Sequence, residues 1–168
     1  EHSVSICNIW DNGDGYISDE YNYRVFRADS GGYLRNYAGT GADGNATSGN
    51  PASGEKLSCP YYMCVDSSNN ISLPCNNNLA VYKITPGGII YSFAGTAGSS
   101  GNTGDGGAAT SCKLNVPFCA SVDSTGGVYI ADYGNGRIRY VDTSGNIQAY
   151  VTLAKPIQMY VDSLNYCI

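Results

Sequence analysis

Residues 120–123, 128–131, 137–141 and 146–151 form four short stretches in which β-branched and aromatic residues are interleaved with polar ones. Between them lie Ser124-Thr125-Gly126-Gly127, Gly134-Asn135-Gly136 and Thr143-Ser144-Gly145. Glycine and asparagine accept the positive φ that tight hairpin turns require. An apolar period of about 3.6 residues does not persist over about 11 residues, so the pattern predicts strands rather than helices. Four strands joined by three tight turns make one antiparallel sheet.

The same pattern recurs along the chain. Tyr129, Ile130, Asp132, Asn135 and Arg137 are matched in register by Tyr16, Ile17, Asp19, Asn22 and Arg24, and the match continues through Asp29/Asp142, Gly32/Gly145 and Tyr37/Tyr150. A middle copy contributes Val65-Asp66-Ser67, Asn78, Val81, Gly88 and Ile90. Residues 160–163 repeat the start of the third copy after a much shorter interval, because the Gly/Ser/Asn/Thr-rich stretches 41–56 and 97–111 lengthen the first two periods. Those stretches are expected to be surface loops. The structural unit is therefore about 40 residues with four strands, the signature of propeller blades. The expected fold class is all-β, a blade array of four-stranded antiparallel sheets. Blades fall at about 3–41, 57–97 and 114–151, with a partial one at 156–168, all in a single unit 1–168.

Residues 104–151 resemble the NHL-repeat β-propeller family. The features are Gly104-Asp105-Gly106-Gly107-Ala108-Ala109-Thr110, Leu114-Asn115-Val116-Pro117, Val122-Asp123, Tyr129-Ile130-Ala131-Asp132, Asn135 and Arg137-Ile138-Arg139, in that order. The middle copy departs from the family pattern, with Cys75 for the usual Asp and Ala80 for the usual Arg. Asp19, Asn22 and Arg24, like Asp132, Asn135 and Arg137, read as a structural turn, since Asp and Asn cap their own backbone. The Arg is expected to reach back to the Asp as a charge-assisted pair. Loss of both charged members from the middle copy fits such a pair.

Composition narrows the chemistry. The 168 residues include 22 Gly, 15 Tyr, 7 Cys and one His, with a net charge of −5. An acidic chain without a basic cluster is not expected to bind nucleic acid, and no apolar run is long enough to span a membrane. A lone histidine, His2, argues against multi-histidine metal sites and a Ser-His-Asp triad. No cofactor and no metal are expected, and no catalytic residue is assigned. Aligning Asp11-Asn12-Gly13-Asp14-Gly15 with a calcium loop puts Trp10 and Tyr21 at its acidic ends, so the segment reads as an inter-strand turn. Most tyrosines, including Tyr33, Tyr37 and Tyr160, are expected to pack between blades.

Cysteine content, together with the sequons at Asn45 and Asn70, points to a secreted, extracellular glycoprotein carrying N-linked glycans. The disulfide candidates are Cys7, Cys59, Cys64, Cys75, Cys112, Cys119 and Cys167; at most three bridges form and the pairing stays open. A chain that begins at Glu1 without a signal-peptide pattern is expected to be a processed mature chain or an excised piece. Three blades and part of a fourth do not close a ring, and open blade faces seek partners. The expected function is a structural protein that self-assembles through blade surfaces, an extracellular fibre being one form, with copies of itself or further propeller blades as partners. The alternative is a fragment of a larger extracellular propeller that binds protein or glycan through loops 41–56 and 97–111.

Overall fold

A computed structural model describes residues 4–9 as backbone and residues 14–162 with their side chains. Expectations placed on His2, Cys167, the Cys7 side chain, residues 11–13 and the chain beyond Asp162 lie outside the described residues. The first sheet runs β1 (Val4–Ile9), β2 (Gly15–Asp19), β3 (Arg24–Ala28), β4 (Leu34–Ala38) in that order. The second contains β5 (Asn50–Pro51), β6 (Cys64–Val65), β7 (Ile71–Cys75), β8 (Ala80–Ile84) and β9 (Ile89–Ala94), ordered β5-β9-β8-β7-β6. The third runs β10 (Pro117–Val122), β11 (Val128–Asp132), β12 (Arg137–Val141), β13 (Ile147–Thr152). The chain is all-β, built of antiparallel blades.

Backbone detail repeats with the sequence. Pairing of the third and fourth strands slips at Val25/Phe26, Val81/Tyr82 and Ile138/Arg139, one bulge at the same place in each blade. The turn before the third strand carries positive φ at Tyr23, Leu79 and Gly136. Cys59, Val116 and Lys155, each just before a proline, take φ of 50, 53 and 53°. Left-handed backbone costs a side-chain-bearing residue about 1–2 kcal/mol, so its recurrence shows that the fold imposes it.

Sheets pack face to face. Val25, Ala38, Leu57, Leu73, Tyr82 and Ile90 fill the space between the first and second blades. Val81, Leu114, Val128, Ile130, Val141 and Ile147 fill that between the second and third. Each fully buried Leu, Ile or Val contributes about 1.5–3 kcal/mol. Strands β7 and β11 are buried along their whole length, whereas β2 alternates buried Tyr16 and Ser18 with half-buried Gly15, Ile17 and Asp19. Strand β7 has a blade on each side, the second face of β11 is covered by the segment carrying Met159 and Val161 while the outer part of that blade stays exposed, and the alternation of β2 marks a blade covered on one face.

Stretches 41–56 and 97–111, expected as surface loops, are largely exposed and also make short pairings. Each crosses to the next blade and lies along its outermost strand. β5 pairs with β9, Gly49 N–H donating to Ile90 O at 2.7 Å and Ala52 N–H to Gly88 O at 2.8 Å. On the third blade, Gly106 N–H donates to Ile147 O at 2.7 Å, Ile147 N–H to Gly107 O at 2.9 Å and Ala109 N–H to Gly145 O at 2.9 Å. A 3₁₀ turn follows each cap, at Ala52–Gly54 and Ala109–Ser111. An outer strand with open N–H and C=O groups is an association hazard, and these segments satisfy it.

Candidate functional site

The signature residues hold these caps in place. Asn135 Nδ2 donates to Asp132 Oδ2 and to Gly101 O in the cap, both at 2.7 Å. Asp132 Oδ1 accepts from Asn115 N–H at 2.7 Å, just before β10. In the second blade Asn78 takes both tasks, donating to Gly44 O at 2.9 Å and accepting from Ser58 N–H at 2.9 Å. That is why Cys75 can stand where an acid does elsewhere.

The expected Asp–Arg pair does not form. Asp19 is occupied by Asn22, whose Nδ2 reaches Oδ2 at 2.8 Å, and Arg24 donates to Thr40 O at 2.8 Å. Arg137 turns to Asp105 of the cap, at 3.5 Å. The carboxylate is already claimed at the hairpin end, so each arginine finds an acceptor outside it. Nε of both Arg24 and Arg137 is buried and bonded to no described residue.

The repeat pattern alone does not mark Arg139, the last residue of Arg137-Ile138-Arg139, as an anchor. Its side chain is 0% exposed. Nε and Nη2 donate to Asp105 Oδ1 at 3.0 and 2.7 Å, and Nη1 to Lys113 O at 2.8 Å. Burial pushes the Asp132 carboxyl above its ordinary value, against the opposing bonds from Asn135 and Asn115 and the charges of Arg139 and Arg137. Tyr82 holds the equivalent place in the second blade, its hydroxyl accepting from Ala46 N–H at 3.3 Å; burial pushes that hydroxyl up to about 12. A signal existed: the polar residue at this register changes with the cap it meets.

The aspartates after the first strands act in turns. Asp123 Oδ1 accepts from Thr125 and Gly127 N–H at 2.8 and 2.9 Å, and Asp66 Oδ1 from Ser68 and Asn70 N–H at 2.9 Å each. Asp14 pairs with Arg27 and accepts from Ser30 N–H at 3.1 Å. Tyr37, half-buried, bridges blades by donating to Thr85 O at 3.0 Å. Tyr33 and Tyr160 do not pack between blades: they are exposed.

Cys59, Cys75 and Cys112 are buried free thiols, Cys64 and Cys119 are also buried, and no disulfide joins any two described cysteines. Cys75 faces the first interface, with Cys59 beside it through the Pro60–Cys75 bridge, Cys64 and Cys112 share the second, and Cys119 packs with Met159 beyond the third blade. Burial pushes the Cys59, Cys75 and Cys112 thiols up, as in inert structural cysteines. Asn45 is exposed, its Oδ1 accepting from Asn78 at 2.6 Å. Asn70 is half-buried and donates through Nδ2 to both Asp66 oxygens, at 3.1 and 2.9 Å.

The inner strands and the segment after β13 line an open pocket of about 290 Å³, with Tyr62, Cys64, Cys119, Ser121, Met159 and Val161 among its walls. Among the described residues, no three His, Cys, Asp or Glu side chains converge. The more distinctive surfaces are the two ends. Ile90 and Ile147, under their caps, are 0% exposed, whereas Leu34, at the same repeat position in β4, is 56% exposed. Leu57 and Leu114 are 0% exposed, whereas the equivalent Leu153 is 48% exposed, beside exposed Tyr150, Val151 and Ile157.

No family model matches the chain, and no curated protein sequence does. Solved structures do, and they are propeller-type proteins. A protein of unknown function from Bacteroides thetaiotaomicron superposes with a TM-score of 0.71 at 19% identity, over 93% of this chain and 41% of that one. A virginiamycin B lyase from Staphylococcus aureus gives 0.64 at 16%, over 95% and 46%. A gluconolactonase from Xanthomonas campestris gives 0.66 at 12%, over 94% and 50%. At these identities the likeness shows the fold, a β-propeller's. The chain spans half or less of the length of each.

Proposed function

We propose that the chain is a structural array of NHL-like blades that works by joining further blades of its own kind through its two open lateral faces, in a secreted and glycosylated setting. The contrast between Leu34 and Leu153, exposed, and their buried counterparts Ile90, Ile147, Leu57 and Leu114 carries the reading. Positions that the repeat uses as inter-blade core are left apolar at both ends, and apolar surface of this kind gains by burial. The partner in this reading is a second copy, and a face-to-end contact between copies closes into a ring or runs on as a filament. No catalysis is assigned to this chain. Sedimentation velocity of residues 1–168, with electron microscopy, tests it: the expected result is species at multiples of 17.7 kDa. A stable monomer at tens of micromolar overturns it.

A second reading rests on the shared lengths. An array covering 41–50% of known propellers is half of such a ring, and the same faces would then meet blades of one larger chain, with the capped edges as a binding surface. A monomer that becomes compact only with further blades attached favours this reading.

A further inference from the structure

Resting on the reading that blade faces are completed by further blades, we propose that the outer edge of β4 is a strand-addition site for an extended, glycine-rich segment bearing one acid. Its model is the chain's own cap, residues 105–109.

Two of the three blades show how this edge is covered. A glycine N–H bonds the carbonyl of Ile90 or Ile147, and an alanine N–H that of Gly88 or Gly145. The equivalent groups of the first blade are Leu34 and Gly32. β4 ends its sheet, and no described strand pairs with its outer side. Leu34, Arg35 and Asn36 are exposed, whereas the capped strands bury Ile90 and Ile147, the equivalents of Leu34. Strand addition to such an edge draws its affinity from main-chain bonds and its specificity from side chains along the edge.

The side chains around the edge define the occupant. Asn135 uses one amide hydrogen on Asp132 and the other on the cap carbonyl of Gly101. Asn22 makes the same bond to Asp19, is exposed, and has its second amide hydrogen directed at no described residue. That hydrogen is a hook for an incoming carbonyl. Arg24 corresponds to Arg137, which meets the cap through Asp105, so an acid just before the pairing glycine suits the first blade too. Phe26 stands where Arg139 and Tyr82 stand, so the occupant needs no second polar anchor there. Within the chain, both long caps are already spent on the second and third blades, so the occupant comes from an adjoining blade's connecting segment.

The test uses the full chain and a synthetic peptide of residues 101–114 carrying C112S, read by amide hydrogen exchange. The expected result is at least tenfold slower exchange over residues 32–36. Protection should vanish when the peptide is N-methylated at Gly106 and Ala109, which removes donors and keeps side chains, and should weaken severalfold with D105N. No protection at millimolar peptide, or equal protection by the N-methylated form, overturns the proposal. Sedimentation run alongside separates the two ideas. A chain that associates while its 32–36 amides ignore the peptide leaves assembly standing and removes the strand-addition site. A monomer whose amides the peptide protects does the reverse.

Discussion

Arg139 offers the sharpest test of how the caps are held. Its guanidinium is fully buried, donates twice to Asp105 and once each to the carbonyls of Lys113 and Thr103, and lies 3.9 Å from the buried Asp132. Removing one member of a buried pair costs about 3–5 kcal/mol, because the partners are left uncompensated. Asp105 is 34% exposed and regains water, which moves R139A to the lower part of that range. That range already includes the bonds lost by the two carbonyls, about 1 kcal/mol each. About 3–4 kcal/mol is then the expected loss, and with a urea m-value of about 2 kcal/mol/M the midpoint falls by roughly 2 M. R139Y is the informative control. Tyr82 fills this register in the second blade and accepts a cap N–H, so a tyrosine should cost about 1 kcal/mol, roughly 0.5 M. Trypsin reports the cap locally: cleavage after Lys113 should quicken in R139A and change little in R139Y. A midpoint shift under 0.5 M for R139A, or equal shifts for the two variants, would refute the idea that a buried polar anchor seats the cap.

Three further outcomes follow from the same geometry. In secretory expression N45Q should abolish the mass released by peptide N-glycosidase and N70Q should leave it unchanged, since Asn70 Nδ2 is engaged with Asp66 while Asn45 is exposed. Burial pushes the Asp123 carboxyl up, but bonds from Thr125, Tyr140 and Gly127 outweigh it and hold the group below 3.8, so its stabilisation is complete above that pH and is lost as pH falls through the native value; D123N, less stable at pH 7, should show a shallower decline below about pH 4 in acid-unfolding curves. A methyl on Gly39, at φ +86°, would lie 2.1 Å from Tyr23 O, so G39A should lower stability by about 2–3 kcal/mol in urea melts.

The blades were legible in the sequence because turns and strands alternate with a fixed register, and Gly32, Gly88 and Gly145 mark the same corner of each copy. The caps were not, because low hydrophobicity reads as loop, and only three-dimensional adjacency shows glycine N–H groups meeting the carbonyls of Ile90 and Ile147. Arg137 departs from its expected partner for a related reason. Its sequence neighbour Asp132 is close, but that carboxylate is already held by Asn135 and Asn115, and the arginine's partner lies 32 residues earlier. Cysteine count predicts bridges, whereas the described cysteines are buried and no disulfide joins any two of them, a placement that composition does not carry.

The middle blade's missing charges now have a cause other than mutual pairing. Asp105 of the third blade's cap binds both Arg137 and Arg139; the same position in the second blade's cap is Ser48, and the two facing residues are Ala80 and Tyr82. An arginine at position 80 would have faced Ser48 in place of that acid, and a buried cation without its partner costs several kcal/mol. Charge on the third strand therefore follows charge on the incoming cap, not charge on its own hairpin. By that rule the first blade, which keeps Arg24 but has Phe26, asks for a cap with an acid facing one and carbon facing the other. The requirement is written in the receiving strand alone, so it holds whichever chain supplies the segment.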